Sequence, residues 1–89
     1  MMINVREFLG ENFGIEDAIF LREVIKDSND VVTLDFEGFD RVPSTFFISL
    51  FQDLINEQGR EAIFNSVSVK NLTNTSDFSR VVMGTTFLN

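Results

Sequence analysis

Three segments of the chain have the hydrophobic pattern of β-strands. Residues 31–36 are β-branched, almost continuously apolar and bounded by turn residues, which is typical of a strand buried on both faces. Residues 2–5 are short and mostly apolar, and they predict an opening strand. Residues 62–69 alternate loosely between apolar and polar side chains, so we expect a strand nearer the edge of the sheet.

Apolar residues recur at helical spacing between these segments. Residues 15–26 and the Phe-rich residues 44–58 repeat apolar side chains every three or four positions, which predicts two amphipathic helices. We expect Ser44 or Thr45 to cap the second helix and Gly59 to end it.

The C-terminal part of the chain predicts a polar loop and a last helix. Residues 71–75 are polar, and Ser76 or Asp77 is placed to cap a helix that continues through Phe87. Strands and helices thus alternate along the whole chain. This order predicts one α/β domain over residues 1–89, with about three to four mostly parallel strands and helices packed on the sheet.

The charge of the chain narrows the choice of partners. It has 14 acidic and seven basic side chains, a net charge of −7, and no two adjacent cations. Nucleic acid is disfavoured because phosphate binding needs a concentrated basic face, and an anionic membrane surface is disfavoured by the same repulsion. Two interpretations of the acidity stay open: a basic protein surface is the target, or the charge only keeps the domain soluble.

The cysteine and hydropathy patterns predict the compartment. The chain has no Cys, which in so small a domain favours a reducing environment. No basic segment followed by an apolar run opens the chain, and no apolar stretch is long enough to cross a membrane. We therefore expect a cytoplasmic protein.

The inventory of side chains excludes most catalytic sites. Without His or Cys, neither a Ser/His/Asp triad nor an ordinary zinc site is possible, and no glycine-rich phosphate-binding motif occurs. We expect no cofactor and no enzymatic activity. Asp35, Glu37 and Asp40 are spaced as a carboxylate set that suits magnesium, as in a metal-dependent hydrolase, but solvated loop carboxylates are commoner and we assign no metal site.

The centre of the sequence resembles a known family. A hydrophobic strand ends in Asp-Phe-Glu-Gly at residues 35–38, and a hydroxyl pair at Ser44 and Thr45 opens a helix led by Phe46 and Phe47. Over residues 31–63 this pattern resembles the STAS-like family of small bacterial domains (DUF4325). The resemblance implies a small STAS-like sandwich of sheet and helices.

A more distant similarity links the chain to the STAS domains of anti-sigma-factor antagonists. In those domains a partner kinase of the GHKL ATPase type phosphorylates a serine in an Asp-Ser-Ser-Gly turn. The resemblance places that pair at Ser44 and Thr45, with Thr45 opposite the phosphorylated position. Pro43 and Phe46 depart from the flanking Asp and Gly of the turn, so Ser44 and Thr45 are candidate phosphoacceptors or only a cap and first-turn residue.

These observations predict a partner-binding site at residues 39–47. Because Phe46 and Phe47 are adjacent on one helix, either one is exposed as an anchor for the partner or both border a wide core-facing stripe. The predicted contact residues are Phe39, Asp40, Ser44, Thr45, Phe46 and Phe47.

Two functional hypotheses follow. The first is a regulatory protein-binding module of STAS-like type, whose partner is a GHKL-type ATPase or another bacterial regulator. The alternative is a homo-oligomeric structural or inhibitor subunit, for example phage-encoded, that pairs through an exposed sheet edge at residues 63–69.

Overall fold

The computed structural model describes residues 1–84 and shows a three-stranded parallel sheet with helices packed against it. In the described part of the chain the strands are β1 (Met2–Asn4), β2 (Val32–Asp35) and β3 (Val67–Lys70), in that spatial order. A 3-10 turn at Ile15–Asp17 precedes the second helix. The helices are α1 (Val5–Leu9), α2 (Ala18–Asp27), α3 (Ser44–Gln58), α4 (Arg60–Ser66) and α5 (Thr75–Met83).

The strand β2 lies at the centre of the sheet, as predicted. Its register aligns Leu34 with Ile3 on one side and with Val69 on the other. Both neighbours run parallel to β2, which confirms the parallel arrangement expected from alternating strands and helices.

The two faces of the sheet differ in polarity. On one face Ile3, Leu34 and Val67 are buried. On the other face Ser68 is exposed and Thr33 is half-buried, and their hydroxyl oxygens lie 3.0 Å apart. The expectation that β2 is buried on both faces is therefore confirmed only in part: Val32, Leu34 and Asp35 are buried, whereas Thr33 on the second face is half-buried.

Helix α3 contributes five of the 18 buried apolar residues of the described chain. It packs between α2 and α5. The ring of Phe47 contacts the rings of Phe36 and Phe78 edge to face, at centroid distances of 5.9 and 5.8 Å. Such contacts are favourable geometries for aromatic rings, and they join α3 to both the sheet and α5. The buried residues of α3 are Phe46, Phe47, Leu50, Phe51 and Leu54.

The strand expected at residues 62–69 is shorter than predicted. Residues up to Ser66 continue as α4, and only Val67–Lys70 joins the sheet. Ile63 and Val67 are four residues apart, a spacing that fits a helix face as well as the same face of a strand, so the local pattern was ambiguous. As predicted, β3 is an edge strand.

The first strand and the last helix also differ in their limits from the predicted elements. Residue 5 leaves the opening strand and begins α1, which the sequence pattern did not indicate; the side chain of Asn4 caps this helix by accepting a hydrogen bond from the amide of Glu7 at 3.0 Å. Helix α5 ends at Met83, and the predicted extension through Phe87 lies outside the described residues. Across residues 1–84, no helix has the length and apolar character needed to cross a membrane.

Candidate protein-binding site at the carboxyl edge of the sheet

The predicted site lies where the parallel strands end. Strands β2 and β3 are each followed by a loop and then by a helix, so these two loops and the starts of α3 and α5 lie at one edge of the sheet. In open parallel sheets this carboxyl edge is the usual place for binding sites. The predicted contact residues therefore belong to a region that the fold favours for binding.

Asn74 joins the two loops of this edge. Its side-chain oxygen accepts a hydrogen bond from the amide of Val42 at 3.2 Å, and its nitrogen donates to the carbonyl of Val42 at 2.6 Å. Asn74 is one of the few buried polar residues in the described chain. The hydroxyl of Thr73 also donates to the carbonyl of Asp40. The loop after β2 is thus held by the loop after β3 over a separation in sequence of about thirty residues.

The side chain of Asp35 is hydrogen-bonded to the same two loops. Its Oδ1 accepts hydrogen bonds from the side-chain nitrogen of Asn71 at 2.9 Å and from the amide of Glu37 at 3.0 Å. The bond from Asn71 is the largest influence that lowers the pKa of Asp35 below its ordinary value, followed by the bond from the Glu37 amide; the positive charge of Lys70 acts in the same direction and desolvation opposes it. Asn71 adopts a positive φ of 58°, a conformation that asparagine tolerates better than most residues.

The carboxylate set suggested by the sequence is not assembled as a metal site. Among residues 1–84 no three acidic side chains come close enough to hold a metal ion together. Asp35 instead serves as a hydrogen-bond acceptor for the loops, while Glu37 and Asp40 are exposed to solvent.

Ser44 and Thr45 are both exposed in the first turn of α3. The cap position is occupied by Pro43, whose carbonyl accepts a hydrogen bond from the amide of Phe46 at 3.0 Å, and no side chain caps the helix. The expectation that Ser44 or Thr45 is the N-cap is therefore wrong by one residue. Proline suits this extended position because its φ is fixed near the observed −60°.

Phe46 and Phe47 are both buried, with at most 1% of either side chain exposed. Phe46 packs on Phe13 at a centroid distance of 4.7 Å, and Phe13 in turn contacts Phe39 at 5.1 Å. The interpretation in which both residues border a wide core stripe is confirmed, and the expectation that one of them is exposed is wrong. Of the predicted contact residues, Asp40, Ser44 and Thr45 are exposed and Phe39 is half-buried.

A groove between α3 and α5 adds residues that the sequence pattern did not single out. Its volume is about 260 Å³. Asp77, which lines the groove, accepts a hydrogen bond from Arg41 at 3.0 Å and lies 3.6 Å from the side chain of Arg80. Arg60 donates a hydrogen bond to the carbonyl of Val81 at 2.7 Å. These cations are far apart in sequence, so only the tertiary structure shows that they are neighbours. The residues that line the groove are Ser44, Ile48, Gln52, Arg60, Asp77, Arg80 and Val81.

The fold and this edge define a class of protein: a small α/β domain with an open parallel sheet, whose exposed helix start lies at the carboxyl ends of the strands and adjoins a groove between α3 and α5. Comparison of the sequence with models of protein families gives a match. Residues 17–77 match the family described as STAS-like domain of unknown function (DUF4325), and the chain belongs to that family. Neither the curated proteins nor the solved structures contain a significant match to the chain.

Proposed function

We propose that the protein is a non-catalytic, cytoplasmic binding module that recognises a partner protein through the carboxyl edge of its sheet. The observation that carries the proposal is the exposure of Asp40, Ser44 and Thr45 on a segment whose backbone is held by Asn74. A surface that is ordered before binding loses less entropy when the partner docks. Phe46 and Phe47 contribute by fixing the start of α3 in the core.

The proposal includes regulation by phosphorylation at the start of α3. The resemblance to anti-sigma-factor antagonists favours Thr45, but the side chain that lines the groove is Ser44. A phosphate on Ser44 would lie at the amino end of a 15-residue helix, where backbone amides favour negative charge. Arg60 and Arg80 line the same groove, and their positive charge would attract the phosphate. The carboxylate of Asp77 would repel it.

The partner class that the family resemblance implies is a GHKL-type ATPase or another bacterial regulator. Affinity capture with the full chain, followed by identification of the retained protein, gives the partner. Binding is then measured with the purified pair. We expect Ser44→Glu or Thr45→Glu to weaken binding by about tenfold, since a charge at a docking surface changes affinity by about 1.4 kcal/mol or more.

A matched control separates a local effect from the added charge. Ser79→Glu introduces the same charge at an exposed hydroxyl of α5 that does not line the groove, and we expect it to bind as the wild type does. If all three variants bind equally well, the surface at residues 39–45 is not the docking site. Phosphate transfer from ATP by the captured protein is tested with Ser44→Ala and Thr45→Ala, and persistence of transfer in both single variants and in their combination contradicts phosphoregulation here.

A further inference from the structure

The 3-10 turn at Ile15–Asp17 and the outer face of α2 expose large apolar side chains that the core does not use. Ile15, Ile19 and Phe20 are 47%, 50% and 61% exposed, and Phe20 has the highest exposure of any large apolar residue in the described chain. Ile15 lies in the 3-10 turn that leads into α2, four residues before Ile19, and Ile19 and Phe20 are consecutive exposed residues in the first turn of α2. Single exposed apolar residues are ordinary, but a group that includes an aromatic ring is typical of an interaction surface.

Acidic side chains surround this group. Glu16 lies in the same 3-10 turn as Ile15, Glu23 and Asp27 are four residues apart on α2, and all three side chains are exposed. None of them forms an ion pair within residues 1–84. The charge on this face is therefore not neutralised by the fold.

The cations of α2 are directed away from that face. Arg22 lies 3.3 Å from Asp53, and Lys26 lies 3.5 Å from Glu57, both across the seam with α3. Arg22 also donates to the carbonyl of Ser49 at 3.0 Å. The helix therefore has a basic side that binds α3 and an acidic, apolar side that faces solvent.

We propose that this face, formed by Ile15, Ile19 and Phe20 and bordered by the three carboxylates, binds a partner protein through an amphipathic segment whose apolar side chains are flanked by Lys or Arg. The charge decides among occupants. A second copy would bring the same carboxylates face to face, and an anionic membrane or a nucleic acid would be repelled. An apolar surface bordered by Lys or Arg would bury the exposed Phe20 ring and form ion pairs with the carboxylates around it.

This inference is independent of the site at residues 39–45, since it rests on different side chains. The probe is a fluorescent synthetic helical peptide with leucines on one face and lysines beside them, titrated with the full chain and followed by anisotropy. We expect Phe20→Ser to weaken binding by about tenfold or more, because buried aromatic anchors dominate such interfaces. Glu23→Lys should weaken binding and reduce its dependence on salt, since salt screens charge pairs at a surface.

Matched controls lie on α4. Phe64→Ser removes an exposed phenylalanine, 47% accessible, and Glu61→Lys reverses an exposed carboxylate, and both should bind the peptide within about twofold of the wild type. Equal loss in Phe20→Ser and Phe64→Ser overturns the proposal, as does failure of the wild type to bind. Equal affinity for a leucine-glutamate peptide overturns the basic character of the partner. A dimer in sedimentation that Phe20→Ser dissociates assigns the face to self-association and overturns the proposal.

Discussion

At the carboxyl edge of the sheet, single side chains form the hydrogen bonds that buried backbone groups need. Asn74 forms hydrogen bonds with both the amide and the carbonyl of Val42, as a neighbouring strand would, although no strand of residues 1–84 lies there. Buried backbone groups need such partners because an unpaired amide or carbonyl costs about 1–3 kcal/mol. The exposed start of α3 is thus positioned by a residue that follows it by about thirty positions.

Asp35 makes the stability of this edge depend on pH. Its folded-state pKa is lower than its unfolded value, so the unfolded chain takes up a proton first as the pH falls. The contribution of Asp35 is therefore complete above the ordinary pKa of aspartate and is lost as the pH falls through the folded value. We expect Asp35→Asn to lower the free energy of unfolding at neutral pH and to flatten its decline in acid, measured by urea unfolding across the acidic range.

The matched variant for this test is Asp40→Asn. Asp40 is exposed, and within residues 1–84 its carboxylate has no hydrogen-bond or ion-pair partner. We expect its acid profile to follow the wild type. Identical profiles for Asp35→Asn and the wild type would show that the bonds from Asn71 and Glu37 do not stabilise the carboxylate form.

Among the elements, the junction of α3 and α4 depends on one backbone conformation. Gly59 alone separates the two helices, with φ 90° and ψ 156°, a region open essentially to glycine. This turn lets Ile63 reach the core while the chain continues into β3. We expect Gly59→Ala to lower the free energy of unfolding by about 1–3 kcal/mol, as measured by chemical denaturation.

Gly14→Ala is the comparison for that variant. Gly14 has an extended backbone that any residue adopts, and an added Cβ would meet only the movable carboxylate of Glu16. We expect a much smaller effect there. A loss at Gly59 no greater than at Gly14 would mean that α4 changes its entry angle without cost.

At the scale of the whole molecule, the net negative charge and the short edge strands disfavour pairing between the sheets of two molecules. The free edges are formed by β1 and β3, strands of three and four residues, and the net charge is −7. The edge first expected at residues 63–69 is also reduced, because Ile63 is buried in α4. We expect a monomer whose sedimentation coefficient is the same at two protein concentrations. A coefficient that rises with concentration would favour the homo-oligomeric alternative.

The sequence by itself determined the class of fold. Residues 31–36 and residues 44–58 were predicted nearly to their ends, because their apolar periods differ clearly and turn residues bound them. The Asp-Phe-Glu-Gly strand end and the hydroxyl pair also led to the family that residues 17–77 match.

Only the tertiary structure decided which of the predicted contact residues are exposed. Phe46 and Phe47 are adjacent on a helix, and periodicity cannot say whether a neighbouring ring such as that of Phe13 covers the outer one. The hydrogen bonds between Asn74 and Val42 join positions distant in the chain, and so does the groove that Ser44, Arg60 and Arg80 line together. Local pattern records the period of an element, whereas accessibility depends on what packs against it, and that is fixed only when the strands and helices come together.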